Sequence, residues 1–509
     1  MSAPESPDGV RLARLRIALL LFAALTSVPL LGVRDLWQSD EPRYALVGRE
    51  IVRDGDWIVM HLNREIYTEK PPLYFWCEAL LGSLTGDVGP FTARLPSSLS
   101  GAIGVLLCFE LGRRLLGARI AFAGALMLAT AVQWWWLSQR CALDVMLAAF
   151  VLAAMLLVEM GRAASGARAD RWFVAAFVAA GGGFLVKGPP VLVFFAGALL
   201  ARAWAAREWR FLARLPWLRG LLALAAVVAL WAAPWAARLG LDEVERILVR
   251  QTAGRISRSI AHAEPWHFFL RTVPGTFAPW SLAWIGLAWV AWKRRRRAPP
   301  GRAGLPDGAR YLLAWSAWCL VAFSCFSGKR TLYLLPILPA LALCTAFALD
   351  RLAPAGRDLL LPVRRVAVGA GLLMLVLALV WMPLADSGFE LGPLRVPSQS
   401  SRRIGERVRR EADAGATVAL IDLHYAESVI YFSGLDRVAT IDLPWLDPTD
   451  GGHPDVRRIR ELADRLRDRL VLVLETTEAE RLLQALPRGA DPIDETSCDG
   501  RTYALLRAR

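Results

Sequence analysis

VAVGAGLLMLVLALVWMPLA, residues 366–385, is a run of twenty residues without one charge. A helix rising about 1.5 Å per residue needs ~20 predominantly apolar residues to cross a bilayer. This run is long enough, and Arg364 and Arg365 mark its start. Comparable runs recur back to residue 13. They predict spans at 13–33, 94–112, 118–137, 142–161, 171–186, 189–204, 219–238, 272–292, 309–327, 332–349 and 365–385. That number excludes a soluble enzyme on a single anchor. The whole chain agrees, with 55% of its 509 residues hydrophobic, 21 tryptophans and a mean hydropathy of +0.38. The fold class expected is an α-helical polytopic membrane protein of about 11 to 13 transmembrane helices.

The net charge of +14 would suggest nucleic acid in a soluble protein. Here the arginines sit between apolar runs, so no nucleic-acid partner is expected. Cytoplasmic loops carry such an excess. Threading from a cytoplasmic N-terminus places inside the loops that hold Arg113 and Arg114, Arg162 to Arg171, Arg202 to Arg219, Lys293 to Arg297, and Arg351 to Arg365. Loops 34–93, 138–141, 187–188, 239–271 and 328–331 then face outward, with everything after residue 386. Arg11, Arg14 and Arg16 before the first apolar run read as the flank of an uncleaved span.

Residues 1–386 are therefore expected to form a transmembrane domain, and 387–509 a small extracytoplasmic α/β domain. The latter shows strand-like segments at Thr417–Leu423, Val438–Leu443, Leu470–Glu475 and Thr502–Leu506, with Arg-rich helical stretches at 399–413 and 454–468. In loop 34–93, two helices at about 41–53 and 71–83 would lie along the interface. Seven cysteines without CxxC spacing give neither a disulfide framework nor a zinc knuckle.

Lysine is rare, four against 56 arginines, and three of the four fall in outer loops: Lys70, Lys187 and Lys329. Arg140 and Arg330 join them, against the orientation rule. A compact ammonium suits a phosphate oxygen, so cations gathered at one membrane face point to an anionic ligand. Snorkelling of long side chains to the interface is the plainer alternative. Carboxylates are interleaved with these cations in Ser39-Asp40-Glu41-Pro42-Arg43-Tyr44 and in Tyr67-Thr68-Glu69-Lys70. Asp144 lies inside a span, where a charge is costly and usually functional. A salt bridge to Arg140, one turn earlier, would also account for it.

The motifs Asp35-Leu-Trp-Gln-Ser-Asp-Glu-Pro-Arg-Tyr44, Gly55-Asp-Trp57, Glu69-Lys-Pro-Pro72 and Ala93-Arg-Leu-Pro96 resemble the first outer loop of the aminoarabinose (lipid A) transferase family. Leu185-Val-Lys-Gly-Pro189, His262-Ala-Glu-Pro-Trp266 with Pro279-Trp280, and Ser327-Gly-Lys-Arg-Thr-Leu-Tyr-Leu-Leu-Pro336 resemble later elements of the same family, in order. The family is related to the protein O-mannosyltransferases. Pro42, Arg140-Cys-Ala-Leu-Asp144 and Gly328-Lys329-Arg330 depart from its usual pattern, and the C-terminal part is only weakly similar.

The resemblance implies a GT-C-type glycosyltransferase of the cell inner membrane, with its active site on the extracytoplasmic face. It would transfer an aminoarabinose-like pentose or a hexose, with inversion, from a polyprenyl-phosphate carrier to lipid A or a related envelope glycolipid. It assigns catalysis to Asp40 and Asp144, and the leaving phosphate to Lys70, Arg255, Lys329 and Tyr333. Glu41, Arg43, Tyr44 and Lys187 complete the motifs. Glu41 reads as a carboxylate favoured by a helix N-terminus. Glu69 and His262 are candidate ligands of a divalent metal, although two ligands make an incomplete site. Membrane lipids are the remaining partners. A protein O-glycosyltransferase is the alternative, and a lipid-linked-sugar transporter or an envelope sensor fits the motif layout less well.

This threading makes a direct prediction. Cysteines introduced at Pro300 and Asp450 should label with an impermeant reagent from opposite sides of the membrane; labelling from the same side overturns the topology.

Overall fold

The computed structural model describes residues 7–37, 40–247, 249, 264–295, 304–326, 328–353, 358, 360–391, 394–396, 398–421, 426–441, 461, 464–466, 469–476, 490–498 and 501–508. Its helices in chain order are α1 (Pro7–Ser27), α2 (Asp40–Asp54), α3 (Leu73–Thr85), α4 (Pro90–Leu116), α5 (Ala118–Ala129), α6 (Val132–Leu137), α7 (Leu143–Arg162), α8 (Gly166–Lys187), α9 (Pro190–Ala206), α10 (Arg210–Ala213) and α11 (Trp217–Leu239). Then follow α12 (Phe268–Thr276), α13 (Leu282–Arg295), α14 (Asp307–Ser324), α15 (Leu338–Leu352), α16 (Leu360–Ser387), α17 (Arg402–Asp413) and α18 (Ala426–Ser433).

Among the described residues, seven helical segments are long and apolar enough to cross a membrane: Gly9–Leu30, Pro90–Leu116, Leu143–Arg162, Gly166–Lys187, Trp217–Leu239, Thr331–Leu352 and Leu360–Ser387. Shorter apolar helices occupy Ala118–Ala129, Pro190–Ala206 and Leu282–Lys293. The chain is a multi-span membrane protein. Leu218, Leu222 and Leu230 on α11 and Leu373, Val376 and Leu377 on α16 lie exposed, forming apolar faces that suit lipid contact. Inside the bundle, small residues let helices approach. A Cβ on Gly104 of α4 would sit 2.5 Å from the Trp134 ring, so only glycine fits there.

Two expected spans are interrupted. The 118–137 run is apolar over most of its length, but Thr130 turns its hydroxyl back onto the Leu126 carbonyl at 2.7 Å, and α5 gives way to α6. The 272–292 run contains Pro279, which supplies no N–H to a helix, and it divides into α12 and α13. The two breaks satisfy each other. Val132 donates its N–H to the Ala278 carbonyl at 2.9 Å, and Trp280 Nε1 donates to Thr130 Oγ1 at 3.0 Å. The 332–349 span likewise opens with a 3₁₀ segment, Thr331–Ile337, before α15.

Helices form where the amphipathic pattern of 34–93 places them, as α2 and α3. Between them runs a short hairpin, β1 (His61–Leu62) with β2 (Glu65–Ile66). After α16 comes a second hairpin, β3 (Phe389–Leu391) with β4 (Leu394–Val396). A five-stranded sheet follows, built from β5 (Thr417–Ile421), β6 (Ala439–Ile441), β7 (Leu470–Glu475), β8 (Ala490–Cys498) and β9 (Arg501–Ala508) in the order β6-β5-β7-β9-β8. β5 runs parallel to β6 and β7, while β9 is antiparallel to β7 and β8. β7 is buried along nearly its whole length, as a central strand requires. β8 is polar and lies at the edge, with a register shift between Pro492 and Asp494. An edge position tolerates both features, and its polar sequence carries no strand pattern. The expected helix at 399–413 is α17, whereas most of 454–468 lies outside the described residues.

One buried carboxylate joins the start of α2 to the bundle. Glu41, 1% exposed, takes Arg34 Nη1 at 2.5 Å and Nη2 at 3.1 Å. It takes Arg94 Nε of α4 at 2.9 Å and Nη2 at 3.2 Å. It also accepts the N–H groups of Trp37 at 2.9 Å and Cys141 at 3.2 Å, and Arg140 approaches to 4.0 Å. Burial alone would raise its carboxyl, but the guanidiniums of Arg34 and Arg94 outweigh that and hold it well below the usual range. The sequence reading of Glu41 as a carboxylate at a helix N-terminus gives its position and misses its partners. Removing one member of a buried charge group costs about 3–5 kcal/mol. Glu41→Gln should therefore lower the thermal midpoint of the detergent-solubilised protein well beyond the effect of a surface substitution such as Glu243→Gln, and equal midpoints would count against this role.

Candidate active site

Asp40 opens α2, whose N-terminus favours a carboxylate. One turn later come Arg43 and Tyr44, the latter buried among Tyr74 and Phe75. The hairpin after α2 leads to Tyr67, which packs edge-on to Phe75 at 5.5 Å. The fields of Asp40, Tyr67 and Asp144 all reach Tyr44, and those of Glu69, Arg43 and Asp40 reach Tyr67. Burial raises both phenols well above their ordinary range and the nearby carboxylates raise them further, so at neutral pH they are donors. Tyr67 Oη is buried with no hydrogen-bond partner among the described residues. A buried orphan hydroxyl beside carboxylates is a position for a polar ligand group.

Arg43 bridges two carboxylates, Glu69 Oε2 at 3.6 Å and Glu427 Oε1 at 3.1 Å. Asp144, in the first turn of α7, pairs with Lys187 Nζ at 2.5 Å. Arg140, the expected partner, turns to Glu41 instead, because it precedes the helix while Lys187 ends α8 alongside it. Lys187 also stands over the Tyr333 ring, 5.3 Å from its centroid. The Glu69-Lys70-Pro71 segment meets the turn after α8, where Pro71 Cγ lies 4.0 Å from a Cβ position on Gly188. Lys70 donates to the Glu69 carbonyl at 3.4 Å. Lys329 is buried and donates to the Glu264 carbonyl at 2.6 Å.

Asp40, Arg43, Tyr44, Glu69, Asp144, Lys187 and Tyr333 thus converge, although they span about 290 residues of sequence. Lys70 lies beside them, and Lys329 braces the neighbouring loop. Arg255 and His262 lie outside the described residues. Glu69, the described half of the expected metal pair, faces Arg43, and the described residues hold no group of three or more His, Cys, Asp or Glu with metal spacing. Sequence reasoning gave Tyr67 no role, although it stands in a quoted motif. Glu427 gave no signal at all, since only the fold brings α18 against α2.

Comparison with known proteins places this arrangement in a family. Residues 69–232 match the family model described as dolichyl-phosphate-mannose-protein mannosyltransferase. An undecaprenyl phosphate-alpha-4-amino-4-deoxy-L-arabinose arabinosyl transferase of Pseudomonas savastanoi pv. phaseolicola is 31% identical over 399 residues, 74% of this chain and 69% of that protein. The enzyme of that description from Edwardsiella ictaluri is 32% identical over 339 residues, 65% of this chain but 59% of its own length. The match thus spans less than two thirds of some of these relatives. In fold, the chain is similar to ArnT from Cupriavidus metallidurans bound to undecaprenyl phosphate, with a TM-score of 0.73 at 20% identity over 96% of this chain and 97% of that one. With the motifs in order, the identity to the Pseudomonas protein and the shared fold, this chain belongs to the aminoarabinose transferase-like family of membrane glycosyltransferases, related to the protein O-mannosyltransferases.

Proposed function

We propose that the chain transfers a sugar, an aminoarabinose-like pentose, from undecaprenyl phosphate to lipid A or a related envelope glycolipid. The reaction would run at the extracytoplasmic face of the inner membrane. One observation carries this reading: two carboxylates, Asp40 and Asp144, flank a buried, hydroxyl-lined position, with lysines close by at the same end of the bundle. The sugar and the carrier are those of the arabinosyl transferases to which the chain is similar.

In the step proposed, an acceptor oxygen forms a bond to the anomeric carbon while the bond from that carbon to the carrier phosphate oxygen breaks. The electron pair leaves with the undecaprenyl phosphate, and preorganised cations stabilise the growing charge. Lys70, Tyr333, Lys329 and Arg255 are assigned to that phosphate. Asp40 accepts the proton of a hydroxyl acceptor. A phosphate acceptor is largely ionised already, and Asp40 would then orient it. Lys187 neutralises Asp144 and keeps two negative charges from facing each other across the site.

Two measurements test the reading. Asp40→Asn should abolish transfer while leaving donor binding largely intact, since the side chain keeps its shape and loses its charge; turnover within about tenfold of wild type, roughly 1.4 kcal/mol of barrier, would remove Asp40 from the mechanism. Lys70→Arg and Lys329→Arg should insert normally and lose kcat/KM by about tenfold or more, a planar fork having replaced a compact ammonium. Lys293→Arg, in the basic block, should be silent. Near-wild-type activity in all three would mean that the phosphate site lies elsewhere.

A further inference from the structure

The residues after the last span do not stand apart from the site; they hold the stretch that carries Asp40 from both sides. On the N-terminal side, Asp386 at the end of α16 accepts Trp37 Nε1 at 2.5 Å and the Asp35 N–H at 2.8 Å. Asp35 in turn accepts Ser400 Oγ at 2.6 Å and pairs with Arg402 of α17. On the C-terminal side, Arg49 of α2 donates to the Tyr431 carbonyl of α18 at 2.9 Å and lies over the Tyr431 ring, 4.0 Å from its centroid. Tyr431 Oη donates to the Val88 carbonyl at 3.0 Å. Asn63, in the hairpin, exchanges two hydrogen bonds with the Val438 backbone, at 2.9 and 3.1 Å.

Those contacts are a dock, and the dock delivers one charge into the site. Glu427, in the first turn of α18, meets Arg43 Nε at 3.1 Å, closer than Glu69 meets Nη1 at 3.6 Å. Arg43 lies three residues after Asp40, so the two share a helix face. Its guanidinium therefore has three carboxylates within its field. All three partners at this junction are only partly exposed, at 24, 32 and 24% for Arg43, Glu69 and Glu427, so their charges are incompletely screened.

We propose that Glu427 is a positioning residue: it draws Arg43 toward the C-terminal part and so keeps that cation from closing on Asp40. The inference rests on the transfer reaction proposed above. Without Glu427, the guanidinium has only the two site carboxylates to pair with. Asp40, tightly paired, would be a poorer base. The C-terminal part then acts on turnover through the Glu427–Arg43 pair.

The test uses the full chain in detergent, with 4-amino-4-deoxy-L-arabinosyl undecaprenyl phosphate as donor and lipid A as acceptor. Glu427→Gln should lower kcat about tenfold with the donor KM within about twofold, the pattern of a lost transition-state effect. Glu427→Asp, which keeps the charge, should recover most of the rate. Arg409→Gln, which breaks the exposed pair with Asp413 on α17, should leave rate and thermal midpoint unchanged. Wild-type kcat in Glu427→Gln overturns the inference while the transfer reading stands. So do equal losses in the Gln and Asp variants with a lowered midpoint, which would make Glu427 a packing residue. A wild-type chain that moves no sugar from this donor removes the transfer reading and the inference together.

Discussion

Glu41 is the fixed point of this molecule. Two arginines from separate places in the chain, Arg34 before α2 and Arg94 inside α4, share its two oxygens. The arginine side chains are fully buried, and desolvating three charges is worthwhile only when geometry and hydrogen bonding are close to ideal. Here they are: Arg94 also donates to the carbonyls of Leu31, Arg34 and Asp35, so one guanidinium gathers the backbone leading into α2 around itself. Asp40 is the residue immediately before Glu41. Its position is thus set by a structure that it does not itself belong to, which leaves its carboxylate available for chemistry.

Reading the sequence recovered what periodicity and composition encode. The apolar runs located the helices of the bundle, and amphipathic alternation placed α2 and α3 to within two residues. β7 spans the very residues expected, because a central strand of five aliphatic residues is unambiguous. What was lost has physical causes. The break after Ala129 interrupts no apolar pattern, because it is made by a hydroxyl bonding its own backbone. β8 is a strand by virtue of its neighbour β9. Asp144 pairs with Lys187 rather than Arg140 because pairing follows space, and a helix of 22 residues brings its far end alongside. The scarcity of lysine drew attention to Lys70 and Lys187, and Lys187 pairs with Asp144, whereas Glu427 is invisible until the sheet region is seen against α2.

The two ends of the bundle handle charge differently. At the end away from the site, Glu110 is held by Arg16 at 2.8 Å and Arg113 at 2.6 Å, and Glu159 by Arg202 at 2.7 Å. Arg16 and Arg202 each clasp one helix to another, Arg113 reaches back one turn along α4, and arginine is in excess. At the site end, carboxylates and cations interleave so that Arg43 has two acidic partners and Asp144 a lysine partner. The first arrangement suits a surface that only has to be basic. The second suits a place where charge must be redistributed during a reaction.

The paired interruptions in the bundle carry a consequence for descent. Backbone N–H and C=O groups released within an apolar layer must find partners. Here the break between α5 and α6 finds them in the break between α12 and α13, about 150 residues further along the chain. Neither irregularity is tolerable alone. A recombinant inheriting one interrupted segment and a continuous version of the other would leave either Val132 or Trp280 without its acceptor, so the two segments form a single heritable unit despite the distance that separates them in the gene.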